Sequence, residues 1–441
     1  MDVYLTKSEI SGEVLIPPSK SVAHRVMIAE ALAGGSLFVD GGGKDISATA
    51  RCLCALEPYI KNHLQNTCVS DSDKAVLRTD KRNSEKVVLQ AGKSDCGEII
   101  LQAGESGSTL RFLLPVACAL GADAVFEGEG RLKDRPLDGL VKSLTEHGAN
   151  IERIGNAQLP LHVGGKLNSG EYVIDGSVSS QYITGLLFAL PLLEGDSRIT
   201  ISGELVSKNY VDITLGVLKD FGIDIKTVDR GYLVAGGQKY VTSDDKEVEG
   251  DWSSAGFMLA LGALAGEVRV KGLRAESLQG DKIVAELLRK AGADISEDIG
   301  EKEIFVAKKS DLRAIEFDAQ NCPDAVPVMA TVLSFAKGVS RILHVKRLRD
   351  KESDRLGAVM QMLSKFGIRT EYSNDVLSVY GGKHTACEVD SYNDHRMAMS
   401  GMVCALATEG QSVIRGAECI AKSYPDFVNE IIRLGAAVQV K

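Results

Sequence analysis

The chain has 441 residues, too many for one ordinary hydrophobic core, so its length implies two domains of roughly 200 residues each. Its composition, 44% hydrophobic and 25% charged, is that of a globular enzyme. The net charge of −9 excludes a general nucleic-acid or membrane-surface binder, because long-range attraction to polyanions needs a basic face. An anionic small molecule would therefore have to be drawn in by a local cluster of Arg and Lys.

Taken in chain order, six segments open on small or polar residues, run into an apolar helix-like stretch and mostly end near glycine. They begin at Ser19 (SKSVAHRVMIAEALAGG), Ser106 (SGSTLRFLLPVACALGA), Ser179 (SSQYITGLLFALPLLEG), Trp252 (WSSAGFMLALGALAGE), Pro323 (PDAVPVMATVLSFAKG) and Asn393 (NDHRMAMSGMVCALATEG). The steps between them are 87, 73, 73, 71 and 70 residues, the signature of an internal repeat. The long first step contains a polar stretch from about Lys61 to Gly97, expected to be a looped insertion.

Between these segments lies a second helix type, amphipathic and closed by a glycine: GLVKSLTEHGA at Gly148, LGVLKDFGI at Gly222, IVAELLRKAGA at Gly292, VMQMLSKFGI at Gly367 and VNEIIRLGA at Gly435. Short β-rich runs such as YLVAGG, EIFVAKK and VLSVYGG follow several of them. Each unit thus reads as strands alternating with two helices. The first helix type is apolar nearly all round and should be buried on every side, while the second should show one face to water. Six units divide naturally into two lobes of three. A large doubly wound sheet shares the βα alternation but leaves the sixfold spacing unexplained.

Chemistry concentrates at the helix openings, where unpaired N–H groups and the helix dipole favour anions. The openings carry Lys20 and Ser21 with Arg25, Ser106, Gly107, Ser108 and Thr109 with Arg111, Ser179, Ser180 and Gln181, and Asn393 to Arg396. Each residue also has an ordinary use, as a helix cap or a solvated charge; recurrence at equivalent repeat positions is what favours a site. RLRDKESDRLGAVM groups Lys351, Glu352, Asp354 and Arg355, either as a charged first turn with i,i+4 pairing or as an anion site beside a proton-transfer group. Arg131, Lys133 and Arg135 stand in GRLKDRPLDGL, where an Arg can clamp a carboxylate. Asp324 is either a cap or a general base. Walker, dinucleotide, GxSxG and HExxH patterns are absent, and Cys52 and Cys54, two apart, begin no CxxC or Cys/His cluster. The expectation is acid–base chemistry on a bound anion, with no metal and no cofactor. A start without a basic-then-apolar signal pattern, cysteines such as Cys118 and Cys404 set in apolar runs, and no long apolar span lead to an expected cytoplasmic, soluble protein.

PPSKSVAHR, VSSQY, PDA, KESDRL, YNDHRMAM and AKSYPDF, in this order across almost the whole chain, resemble the 5-enolpyruvylshikimate-3-phosphate synthase family of enolpyruvyl transferases. The resemblance implies an α/β fold, a two-domain inside-out α/β barrel with three βαβαββ-like units and buried helices in each domain. One domain would comprise 1–19 and 250–441, the other 20–249, with a hinge near 19–21 and 248–251 and closure of the lobes on the ligands. It implies shikimate-3-phosphate contacts at Lys20, Ser21, Arg25, Ser179, Ser180, Gln181, Ser207, Asp324 and Lys351. Phosphoenolpyruvate contacts would fall at Lys20, Gly107, Arg135, Gln181, Arg355, Arg396 and Lys422. Asp324 would act as base and Glu352, with Lys20, as proton donor to the methylene carbon. Its partners would be these two small molecules alone, with no nucleic acid and no membrane, and the protein would be a monomer. The phosphate loop departs from the family's Asn-Ala-Gly-Thr form: it reads Glu105-Ser106-Gly107-Ser108. An acid at 105 is unexpected beside an anion unless it turns away or pairs with an Arg, whereas Gly107 is kept and leaves room for phosphoenolpyruvate and, by analogy, for glyphosate. Rival expectations are a UDP-N-acetylglucosamine enolpyruvyl transferase, disfavoured because EGEGRLKDRPLDG has no Cys, a non-catalytic binding homologue, and a nucleic-acid-binding member of a similar repeat fold.

Overall fold

The structure is a computed structural model that describes residues 1–35, 43–67, 99–242, 248–299 and 303–441. The chain divides into two compact units, Lys20–Val248 and a discontinuous one made of Met1–Ser19 with Glu249–Lys441. Five four-stranded sheets are described, and all follow one pattern: a parallel pair at one edge, then two antiparallel pairings. In chain order four of them correspond to strand, buried helix, strand, amphipathic helix and hairpin, the βαβαββ unit; in the fifth, the chain-start strand Val3–Thr6 takes the place of one hairpin strand.

In the unit Lys20–Val248, one such repeat has strands Ile99–Gln102, Ala124–Glu127, Leu161–Gly165 and Ala149–Arg153 around helix Gly107–Ala119. The next has strands Glu171–Asp175, Ser197–Ser202, Gly231–Val234 and Ile225–Val228 around helix Ser180–Ala189. The first repeat contributes helices Lys20–Leu32 and Gly43–Thr67. The start of the expected looped insertion is in fact helical: the helix carries on to Thr67 because Leu56, Ile60 and Leu64 continue an apolar stripe at i,i+4, with Lys61 paired to Glu57 at 2.7 Å. The rest of that insertion lies outside the described residues.

The second unit repeats the design with helices Trp252–Ala265, Val326–Ser334 and His395–Ala407. Its chain start completes two of its sheets. Strand Ile10–Leu15 runs parallel to Gly266–Lys271, and Val3–Thr6 inserts between Gln411–Arg415 and Ala437–Val440.

Burial follows the two helix types. All residues of His395–Ala407 up to Leu406, and nearly all of Trp252–Ala265, are buried, as an all-round apolar sequence requires. Each buried Leu or Phe contributes about 1.5–3 kcal/mol relative to exposure. Close approach is made possible by missing side chains: a Cβ at Gly185 would lie 2.2 Å from the Arg111 carbonyl oxygen. The amphipathic helices end as their sequences predict. Gly222, Gly292, Gly367 and Gly435 take φ between +77° and +102°. The glycine N–H and the next N–H bond back to the last turn, as in Gly292 N to Arg289 O at 2.9 Å and Ala293 N to Leu288 O at 2.9 Å.

Candidate active site

In the unit Lys20–Val248, Gly107 opens a helix capped by Ser106, whose hydroxyl accepts from Thr109 N at 3.2 Å. Two guanidiniums converge on this glycine: a Cβ there would stand 2.5 Å from Arg135 Nη1 and 2.7 Å from Arg111 Nη1. Arg111 donates to Gln181 Oε1 at 2.8 Å and to Pro136 O at 2.9 Å, and Gln181 Nε2 donates to Ser108 Oγ at 3.0 Å. Arg135 Nε is buried without a hydrogen-bond partner. Two guanidiniums brought together at one helix start concentrate positive charge there, so this is where the unit can hold an anion.

The Glu105 carboxylate lies over Gly130, where a Cβ would come within 2.3 Å of Glu105 Oε1. Arg131 and Lys133, in the single turn Gly130–Asp134, are exposed, and Arg135 is the residue of that loop that reaches Gly107.

Lys20 opens its helix and pairs with Asp45 at 3.0 Å, both side chains being 16% exposed. Arg25 is 2% exposed and bonds only neutral oxygens in the interactions described: Thr214 Oγ1 at 2.8 Å, Ser21 O at 2.6 Å and Tyr210 O at 2.9 Å. Burial pulls its guanidinium down to about 9, still charged at neutral pH. Ser179 caps helix Ser180–Ala189, its hydroxyl accepting from Gln181 N at 3.3 Å, and Ser180 is buried. Ser207 is buried at φ +55°, a left-handed conformation that a non-glycine residue holds only where its surroundings insist.

The second unit carries a different cluster. Arg355 is completely buried and reaches three carboxylates: Asp324 at 2.7 Å, Glu352 at 2.6 Å and Asp394 at 2.9 Å. Burial pulls its proton affinity down, but Asp394, Glu352 and Asp324 more than offset this and leave it raised. Asp324 in turn meets three cations, with Lys351 at 3.3 Å and Arg396 at 3.2 Å beside Arg355. It stands in the turn Pro323–Ala325, and Ala325 occupies the cap position of the next helix. Burial lowers the Lys351 ammonium, Asp324 opposing and Arg355 reinforcing that shift. Lys422 is 8% exposed and donates to Asn393 O at 2.7 Å. Tyr392 and Asn393 both stand at φ +54°, the backbone bend that delivers Asp394 to the helix start.

The cluster joins three carboxylates to one buried guanidinium, an arrangement suited to acid–base chemistry. Asp45, the direct partner of Lys20, escaped the sequence reading, as did the pairing of Asp394 with Arg355 and the placing of Arg111 over Gly107. The available signal was position: Asp45 stands in the first turn of a helix and Asp394 immediately before one, while Arg111 lies one turn into its helix. Among the described residues, no group of three or more His, Cys, Asp or Glu is placed to hold a metal ion.

Comparison with known proteins gives a consistent result. The family model for EPSP synthase (3-phosphoshikimate 1-carboxyvinyltransferase) matches residues 5–431. A 3-phosphoshikimate 1-carboxyvinyltransferase of Clostridium novyi is 37% identical over 441 residues, covering 99% of this chain and 98% of its own. That of Clostridium acetobutylicum is 38% identical over 434 residues, covering 97% and 96%. Among solved structures, EPSP synthase from Acinetobacter baumannii superposes with a TM-score of 0.74 at 25% identity, covering 100% of this chain and 99% of its own. The enolpyruvyl transferase NikO from Streptomyces tendae, with a TM-score of 0.69 at 18% identity over 99% and 98% of the two chains, shares the fold.

Proposed function

The chain belongs to the EPSP synthase family, and from that premise we propose how its residues divide the labour of a 3-phosphoshikimate 1-carboxyvinyltransferase. It transfers the enolpyruvyl group of phosphoenolpyruvate to the 5-hydroxyl of shikimate-3-phosphate and releases phosphate, a step of aromatic amino acid biosynthesis. The observation that carries the assignment is the carboxylate of Asp324 held among Lys351, Arg355 and Arg396.

Shikimate-3-phosphate is bound by Lys20, Ser21, Arg25, Ser179, Ser180, Gln181 and Ser207, with Asp324 and Lys351. The buried Arg25, bonded to neutral oxygens, supports a phosphate or carboxylate as its counter-charge. Phosphoenolpyruvate is bound by Lys20, Gly107, Arg135, Gln181, Arg355, Arg396 and Lys422. The converging guanidiniums at Gly107 support that reading, because two polyanions that repel each other must be collected and aligned by cations.

Asp324 removes the 5-hydroxyl proton as the oxygen attacks C2 of phosphoenolpyruvate. Glu352, with Lys20, delivers a proton to the methylene carbon, giving a tetrahedral ketal. Reversal of the proton traffic, with loss of a proton from the new methyl group, expels phosphate and regenerates the enol ether. The reading requires no metal or organic cofactor, and it takes the protein to be a cytoplasmic monomer acting on small molecules only.

The test is phosphate release by the purified protein given shikimate-3-phosphate and phosphoenolpyruvate, with EDTA present. Release that needs both substrates and survives EDTA is expected. Turnover of UDP-N-acetylglucosamine instead would keep the transfer chemistry and overturn the acceptor.

A further inference from the structure

The mechanism above leaves Asp281 unused. It stands in the single turn Gly280–Lys282, just before helix Ile283–Lys290, and is 4% exposed. Its Oδ2 accepts the Ser253 hydroxyl from the first turn of Trp252–Ala265. The Ser253 oxygen accepts from Arg396 Nη2 at 3.3 Å, the same nitrogen that lies 3.2 Å from Asp324 Oδ2. Asp281, Ser253, Arg396 and Asp324 thus form one connected line across four elements of a single unit.

Two further facts say that this carboxyl does not serve stability. Asp281 Oδ1 is buried without a hydrogen-bond partner, a costly arrangement for the fold. Burial first, then the negative charge of Asp324, push its carboxyl up to about 6, while Arg396 and the Ser253 hydroxyl pull the other way. A side chain that strains the core while reaching toward the proposed base is characteristic of a functional position.

We infer that Asp281 is a positioning residue for phosphoenolpyruvate binding, which through the Ser253 hydroxyl holds the Arg396 guanidinium in a fixed orientation beside Asp324. The inference rests on the assignment of Arg396 to phosphoenolpyruvate made above. A serine has one O–H to give. Committed to Asp281, it leaves its lone pairs facing Arg396. Without that acceptor the hydroxyl rotates, Arg396 gains rotamer freedom, and more ordering must be supplied when the ligand binds.

Steady-state phosphate release and thermal melting of Asp281→Ala, Asp281→Asn, Ser253→Ala and the double alanine variant test this. Asp281→Ala should raise KM for phosphoenolpyruvate about tenfold, leaving kcat and the KM for shikimate-3-phosphate within about threefold, the loss expected for one hydrogen bond in a charged chain. Asp281→Asn keeps an acceptor and should stay within about threefold of the parent, melting about 2–4 °C higher once the buried charge is gone. Ser253→Ala should match Asp281→Ala, and the double variant should be no worse than either single one. A wild-type KM in Asp281→Ala, or multiplying effects in the double variant, overturns the inference. So does loss of melting temperature in the Ala and Asn variants together, which would make Asp281 structural. An inactive parent protein would sink the functional reading and this inference with it; an active parent with indifferent Asp281 variants sinks only the inference.

Discussion

The two units place charge at the same kind of address, the start of a helix, and handle it in opposite ways. At Gly107 the guanidiniums of Arg111 and Arg135 converge, Arg111 bonding neutral oxygens and Arg135 leaving Nε without a partner. At Arg355 the charges are knotted into carboxylates on every side. The first arrangement gathers positive charge at one glycine and suits collecting an anion. The second is already neutralised and suits passing protons among groups whose energies are coupled. One repeat architecture therefore supports two electrostatic solutions, decided by what the flanking turns bring to the helix start.

The sharpest way to break this contrast is to remove a proton carrier. Asp324→Asn should cut kcat by about 10²–10⁴-fold, the usual weight of a general base, while substrate binding measured by calorimetry changes far less. Glu352→Gln should act in the same direction, and normal turnover in it would disprove its place in the relay. Next in size comes Gly107→Ala. A methyl group placed 2.5 Å from Arg135 Nη1 must displace that guanidinium, so KM for phosphoenolpyruvate should rise about 10–100-fold, with little change in the KM for shikimate-3-phosphate. Glyphosate inhibition should weaken in the same variant, and unchanged inhibition would mean that the inhibitor does not use this position.

Gly185→Ala is the structural control. Its Cβ would press to 2.2 Å on backbone, which cannot swing aside, so a loss of about 1–3 kcal/mol in denaturant unfolding is expected. The smallest effect separates site carboxylates from ordinary burial. His384 stacks on Phe335 at 3.6 Å between ring centroids, is hydrogen-bonded to Ser334, and is brought down to about 4 by burial. The unfolded chain therefore binds this proton first, and stability is lost as pH falls below the unfolded value of about 6.5. The loss should be about 1.4 kcal/mol at pH 5.5, keep growing toward pH 4, level off only below it and be flattened in His384→Gln, as read from urea midpoints across that range.

Much of the architecture was legible because it depends on local pattern. Apolar-all-round helices, glycine caps and a repeat near 70 residues are written in sequence spacing, and the burial of Trp252–Ala265 and the positive φ of Gly292 follow from it. What could not be read depends on partners far away in the chain. Arg25 read either as an anion contact or as a solvated first-turn charge, and it is buried, bonding Thr184, Thr214 and Tyr210. Asp324 read equally as a cap or a base, and nothing local in the sequence announces that Lys351, Arg355 and Arg396 gather around it. The helical run to Thr67 was hidden by polar composition, since only Ile60 and Leu64 mark its stripe there. No short-range signal could say that Val3–Thr6 belongs to a sheet formed with Gln411–Arg415 and Ala437–Val440.

That insertion of Val3–Thr6 has a consequence for how the protein is made. On the ribosome this strand emerges roughly 400 residues ahead of both its neighbours, Gln411–Arg415 and Ala437–Val440. At about 5–20 residues per second it must wait for tens of seconds with its backbone groups in water. All of Lys20–Val248 is meanwhile available, and its two described sheets take every strand from within it. The middle of the chain can thus be folded before its beginning is, and a nascent chain halted short of residue 411 should already protect Lys20–Val248 from protease while Val3–Thr6 stays open to it.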